Sequence, residues 1–210
     1  MQNIQYESDL IALPPKQWHW YHGMVFYVGV QAVSFALGKA VQSVSTHGEP
    51  QLGESFIGNK DNDAFYNSLR QPTFAPPDWV FPPVWIINNA LCVWGLLRVL
   101  NMPPRKPGRT TFLVSQSLVW WCFTTFNASY FGLRSPINGA VNTNIGLICT
   151  IISVYVALFQ LKDTSVVLSQ STILPWLLLA SPTATAVAVW NKDDCYDVGP
   201  LIKPSSKWVK

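Results

Sequence analysis

Charge is what this sequence has least of. Only 12% of its 210 residues are Asp, Glu, Lys or Arg, about half the share of an ordinary soluble domain. The net formal charge of +3 is mild, and no basic patch with interleaved aromatics exists to hold a nucleic acid. The four cysteines, Cys92, Cys122, Cys149 and Cys195, have neither CxxC nor metal-ligand spacing. Three of them sit in apolar runs where a thiol acts as a small hydrophobe, so a disulfide framework is not expected. No nucleophile motif and no glycine-rich phosphate loop is present, and enzymatic catalysis is the least supported class. Met1 to Lys16 carries acids and no apolar core, unlike a signal or transit peptide.

What the chain has in quantity is apolar and aromatic surface: 49% hydrophobic residues, with ten Trp, seven Tyr and eleven Phe. Five apolar segments, at about 18–41, 83–99, 111–133, 137–161 and 166–190, are each near the length that crosses a bilayer. The expectation is an all-α membrane protein: a polar tail (1–17), a five-helix transmembrane domain (18–190) with a long first loop (42–82), and a polar tail (191–210). None of the spans carries an ionisable residue near its middle, which argues against pumps, ion-coupled carriers and channels. Gln31, Ser34 and Gly38 share one face of the first span, as a helix–helix contact does. The fifth is expected to break at Pro175 and Pro182. The basic Arg105–Lys106–Arg109 loop argues that it and the N-terminus face the positively biased side, the lysines of the final tail argue the reverse, and orientation stays open.

The densest local signal runs from Pro72 to Trp85. Five prolines fall in it (Pro72, Pro76, Pro77, Pro82, Pro83), together with Phe74, Trp79, Phe81 and Trp85. Proline fixes its own φ and disfavours helix in the residue before it; Pro82–Pro83 suits the first turn of a helix, where a missing N–H costs little. The Trp residues suit a membrane–water interface. Just upstream, Phe65–Leu69 reads as a short amphipathic turn on that interface.

Residues Phe65 to Trp85 resemble the translocator protein family (TspO, the tryptophan-rich sensory proteins). That family carries Trp-Tyr-x-x-Leu-x-x-Pro followed by a Phe-x-Pro-Pro…Phe-x-Pro-Val-Trp run. Tyr66, Leu69, Pro72, Phe74, Pro76, Pro77, Phe81, Pro83, Val84 and Trp85 match, as does Trp79, and Phe65 replaces the family's Trp. Tyr130–Arg134 and Trp190–Asp193 resemble the family's closures of spans three and five. The resemblance implies a five-helix bundle, often dimeric, that binds porphyrin, haem-like tetrapyrrole or sterol beneath its first loop. Ligand-binding positions then fall on Phe65, Tyr66, Pro76, Pro77, Trp79, Phe81, Trp85, Asn88 and Phe126, and no cofactor is required.

The departures point the other way. Counting back from Gly132 puts Phe126 and Phe123 where the family has Trp and Asn; counting back from Trp190 puts Leu178 and Ala186 at the corresponding places in span five. A cholesterol-recognition pattern around Tyr196 has gaps too long on both sides. The reading favoured on these grounds is a non-enzymatic accessory or structural subunit of a larger organellar, mitochondrial-type complex with a degenerate pocket. Its tail would grip a neighbour. The alternative is a porphyrin- or sterol-binding translocator or sensor. Partners are the bilayer and either other membrane subunits or a second copy. His19 and His22, three apart, are weak metal or haem ligands with no companion. Asn88, Asn89, Asn138, Asn142 and Asn144 are expected chiefly to bond between helices.

Overall fold

The computed structural model describes residues 17–44 and 60–210, and every regular element in them is helical. The expected N-terminal tail through Lys16, and the loop glycines Gly48, Gly53 and Gly58, lie outside the described residues. In order come α1 (Trp20–Val44), α2 (Lys60–Ser68), a 3-10 turn (Asp78–Val80), α3 (Phe81–Leu100) and α4 (Arg109–Phe126). α4 continues as a π-helical turn, Asn127–Gly132. Next come α5 (Pro136–Val156) with its own π-helical end, Ala157–Leu161, then α6 (Thr164–Ser169) and α7 (Ile173–Trp190).

Four stretches are long and apolar enough to cross a membrane by length and composition: Trp20–Val44, Asp78–Leu100, Pro136–Leu161 and Thr164–Trp190. α4 packs in the same bundle, against α5 and α1, but Arg109, Ser115, Gln116 and Ser117 make it less apolar than the rest. The fold is therefore a helical membrane bundle in which the third expected span is the polar member.

Local chemistry sets the helix ends. Pro82 and Pro83 occupy the first turn of α3, where no N–H is missed. At the other end Arg109 donates to the carbonyls of Val99 and Leu100, both at 3.2 Å, and so satisfies two acceptors that a helix terminus leaves open. Ser135 caps α5 by accepting the Asn138 N–H at 3.1 Å. The break in the fifth span lies at Gln170–Thr172, upstream of the expected Pro175. Pro175 has no N–H for the Ser171 carbonyl, and its ring crowds that carbonyl. The helix therefore restarts, which leaves Pro175 in the first turn of α7, while Pro182 is carried inside it.

Two apolar layers fill the bundle with a polar one between them. One contains Cys92, Val119, Trp120, Cys149, Ile173, Trp176 and Leu177; the other contains Val99, Phe112, Val156, Ala157, Leu161 and Val166. On α4, α5 and α6 the intervening turns supply Ser115, Gln116, Ser153, Ser169 and Gln170. Gln116 Nε2 donates to Ser153 Oγ at 2.9 Å and to Gln170 Oε1 at 3.0 Å, and Ser115 shares a hydroxyl bond with Ser153 at 2.7 Å. Such amide and hydroxyl bonds hold helices together where the hydrophobic effect does not discriminate between lipid and protein. Gly95 lets α3 approach this layer: a Cβ there would collide with the Ser169 side chain.

At the bundle end away from the first loop, Arg98 Nε contacts both carboxylate oxygens of Asp163 at 2.8 Å. Asp163 also caps α6, accepting from the Ser165 and Val166 N–H groups at 3.0 and 3.1 Å. Burial pushes this carboxyl up, but the Arg98 and amide bonds outweigh it and hold the group below its ordinary value of 3.8. A depressed folded pKa means that stability is fully present above the ordinary value and lost as pH falls through the lower one. Thermal unfolding in neutral detergent should show an acid loss of stability below about pH 4 that Asp163→Asn, which keeps the cap, makes shallower. An unchanged acid slope in that variant would show that the pair contributes nothing.

Candidate functional site

The proline run forms a lid folded against the bundle. The Phe65 ring packs on Tyr130 and Phe131, with centroids 5.5 and 6.4 Å away. Tyr66 is buried, donates its hydroxyl to the Pro76 carbonyl at 2.9 Å and meets Phe81 edge-on at 5.3 Å. Burial, and then the charge of Asp78, push its phenol up to about 12, so it remains a donor at any physiological pH. Gln71 Nε2 donates back to the Tyr66 carbonyl at 2.5 Å.

The C-terminal tail straps this lid. Val209 pairs with Pro72 as an antiparallel bridge. The Thr73 N–H donates to the Trp208 carbonyl at 3.0 Å, and the Lys210 N–H to the Gln71 carbonyl at 2.9 Å. Lys210 Nζ donates to the Ala75 carbonyl. Arg70 and Asn191 exchange two bonds at 2.8 and 2.9 Å, and the carbonyl of Val189 receives the N–H groups of Leu201 and Ile202. The tail thus grips this chain's own first loop, where the sequence suggested a neighbour.

Beneath the lid is a cavity of about 670 Å³. Tyr66, Pro76, Phe81, Trp85 and Phe126 line it. Of the other expected ligand positions, Pro77 does not line it and Trp79 is turned outward, 71% exposed. Phe65 supports the wall from behind. Asn88 is a correction: it is wholly buried one turn along α3 from Trp85, outside the lining, and neither of its amide atoms has a hydrogen-bond partner. The next residue, Asn89, faces the cavity instead. Asn142 donates to Ser129 at 2.8 Å, and Asn144 to Thr185 at 3.1 Å, bonds between segments of the kind anticipated for these amides. Gln31 bonds Tyr27, Ser34 accepts from Asn127 at 3.2 Å, and both line the cavity.

Sequence reasoning missed the floor. Trp120, Phe123 and Trp176 all line the cavity. Trp176 meets Phe81 edge-on at 5.4 Å, Trp85 lies 5.2 Å from Phe123, and Trp120 sits 5.7 Å from Phe123. The signal was available as helical phase. Trp176 precedes Trp190 by fourteen residues, about four turns, whereas Leu178, chosen by residue count, falls on the outer face and is 53% exposed. Trp120 and Trp121 likewise divide: the first is buried and the second points out at 67% exposure.

His19 just precedes α1 and His22 lies in its first turn, both outside the cavity lining. His22 Nδ1 accepts the His19 N–H at 3.0 Å. Among the described residues no group of three or more His, Cys, Asp or Glu side chains is placed to hold a metal ion. Among the described residues, the charged side chains lining the cavity are Lys39 on α1, Asp63 on α2 and Asp78 before α3.

These features define a helical membrane protein with an aromatic chamber under a proline-rich lid. Residues 40–190 match the TspO/MBR family, and the chain belongs to that family. The tryptophan-rich protein TspO of Chlorobaculum tepidum is 33% identical over 78 residues, covering 37% of this chain and 49% of that protein, so this match spans about half the relative's length. The protein of the same name from Archaeoglobus fulgidus is 26% identical over 151 residues, covering 65% of this chain and 86% of that one.

The strap makes a direct prediction. Removing residues 206–210 frees the Thr73 amide, so its hydrogen exchange in detergent should accelerate by at least about tenfold, since a lost backbone bond lowers local opening free energy. Unchanged protection at Thr73 would mean that the lid holds itself.

Proposed function

We propose that this chain is a non-enzymatic, multi-pass membrane protein that holds a large, flat, mostly apolar ligand of the tetrapyrrole or sterol class beneath its lid. One observation carries the reading: Trp85, Trp120, Phe123, Phe126 and Trp176 converge on one cavity of about 670 Å³, a volume within the range of small-molecule sites. Aromatic walls at edge-to-face spacing stack on flat ligands without demanding specific hydrogen bonds. The cavity lining weighs against a degenerate pocket, because aromatics at other phases stand in for those absent at the counted positions. On this proposal α4 also crosses the membrane, its Ser115 and Gln116 turned to α5 and α6, giving the five-span bundle that the resemblance implies. A mitochondrial-type location draws no support from the relatives, which are bacterial and archaeal.

A second reading, an accessory subunit of a larger membrane complex or half of a homodimer, is favoured by a different feature. Leu201, Ile202 and Trp208 lie beyond the end of α7 and are 66%, 56% and 60% exposed, apolar surface of the kind that partners cover.

The test pairs an inner with an outer tryptophan. Trp176→Ala should weaken quenching of intrinsic fluorescence by a porphyrin or a fluorescent sterol by about three- to tenfold in affinity, the worth of one aromatic contact. Trp121→Ala should leave affinity unchanged. Equal effects from both would place the ligand on the lipid-facing surface, and recovery only as part of a stoichiometric larger complex, without quenching, would favour the second reading.

A further inference from the structure

The tail is anchored at its root and fastened again at the lid, with a short link between. At the root, the buried Asp193 carboxylate accepts from Ser135 Oγ at 2.7 Å and from the Ile137 N–H at 2.9 Å, which ties it to the start of α5. The Cys195 and Tyr196 N–H groups reach its other oxygen at 3.0 and 3.1 Å, and Leu201 and Ile202 donate to the Val189 carbonyl of α7. The link is Lys203–Pro204–Ser205, with Lys203 and Ser205 exposed. Residues 206–210 then return to the lid and hold it almost wholly through backbone groups. The Trp208 carbonyl accepts from Thr73, the Lys210 N–H donates to Gln71, and Lys210 Nζ on the Ala75 carbonyl adds one side chain, while the Trp208 ring stays exposed. Few bonds and little buried apolar surface place this clasp at the low-stability end of the structure, from which lids that open are drawn. What it holds is the roof itself: Gln71, Pro72 and Ala75 are buried, and Ala75 precedes Pro76, which lines the cavity.

We propose that residues 206–210 are a latch whose release lets the lid lift, so that the tail sets the rate at which a ligand enters and leaves the chamber. This rests on the ligand-binding reading above. Residues 206–210 lie outside the cavity lining, so the latch touches no surface that the ligand would occupy. A change in the ease of opening multiplies entry and exit alike, and their ratio is kept while the closed state dominates. The competing route is sideways, past α1, which buries only Gly23 and Ser34; a ligand using it would not sense the tail.

The bridge between tail and lid allows a reversible lock. The Thr73–Trp208 and Gln71–Lys210 bonds flank Pro72 and Val209, which makes these two a non-hydrogen-bonded antiparallel pair. The Cα atoms of such a pair lie about 4.5 Å apart, within reach of a disulfide. Pro72→Cys and Val209→Cys are made together with Cys195→Ser, which removes the exposed native thiol. Protoporphyrin entry and exit are followed by stopped-flow tryptophan quenching on the full chain in neutral detergent. The oxidised protein should exchange porphyrin at least about tenfold more slowly than the same protein reduced, the scale of a few backbone bonds that can no longer open. Comparing one protein in two redox states cancels both detergent partitioning and any effect of replacing Pro72. Deleting 206–210 should speed entry and exit by about tenfold each and leave Kd within about threefold. Equal rates in the oxidised and reduced forms, or faster exit alone with correspondingly weaker binding in the truncated chain, would overturn the latch. Absence of quenching in the wild-type protein would sink the ligand-binding reading, and the latch with it.

Discussion

The lid is short of hydrogen-bond donors. Prolines 72, 76, 77, 82 and 83 carry carbonyls but no N–H groups, so a segment folded against the bundle must obtain donors from elsewhere or bury acceptors unpaired. The structure supplies them from three directions. Tyr66 reaches Pro76 from α2, Gln71 turns back to the Tyr66 carbonyl, and Lys210 donates to Gln71 and Ala75 from the tail. Of the lid's own amides, Ala75 and Val80 donate locally, to Pro72 and Pro77, while Thr73 donates to the Trp208 carbonyl of the tail. Because proline stiffness has removed much of the lid's conformational freedom in advance, these few bonds suffice to hold a roof over a chamber. Tyr66 is the key member: its buried hydroxyl donates to Pro76, and its ring meets Phe81 at the head of α3.

Below that roof the bundle separates two tasks by layer. The aromatic layer next to the cavity is adaptable in shape and indifferent to hydrogen bonding. The amide and hydroxyl layer, centred on Gln116 and Ser153, gives the helices a fixed register beneath it. Burying this polarity is tolerated because most of its members find partners on other helices, which in a membrane is what distinguishes a specific bundle from a loose one. The same layer explains part of why α4 looks weakest as a span: its Ser115 and Gln116 face inward.

The membrane class, the helix start at Pro82–Pro83 and the lid's identity were all legible in the sequence, because each depends on short-range chemistry. Proline geometry and apolar run length need no knowledge of neighbours. The floor of the chamber was missed because it depends on which face of α7 turns inward, which a count of residues along the chain does not track. Counting residues from Trp190 selected Leu178; counting turns selects Trp176. The tail's hold on the first loop was not legible for a similar reason: the carbonyls that Lys210 serves belong to residues more than a hundred positions earlier, a pairing that no local pattern displays. Asn88 sat near the right place along α3, and one step around the helix put Asn89 in the lining instead.

The account turns on whether a ligand occupies the chamber, and the most direct measurement is where a bound one becomes attached. A photoreactive sterol, irradiated with the protein in neutral detergent and mapped by peptide mass spectrometry, should label α3 and α7 at the turns carrying Trp85 and Trp176, together with α4 near Phe123–Phe126. An excess of unmodified sterol should suppress that labelling. Labelling confined to outward residues such as Trp121 and Ile148, or insensitive to competitor, would contradict the account and leave the aromatic chamber as packing alone.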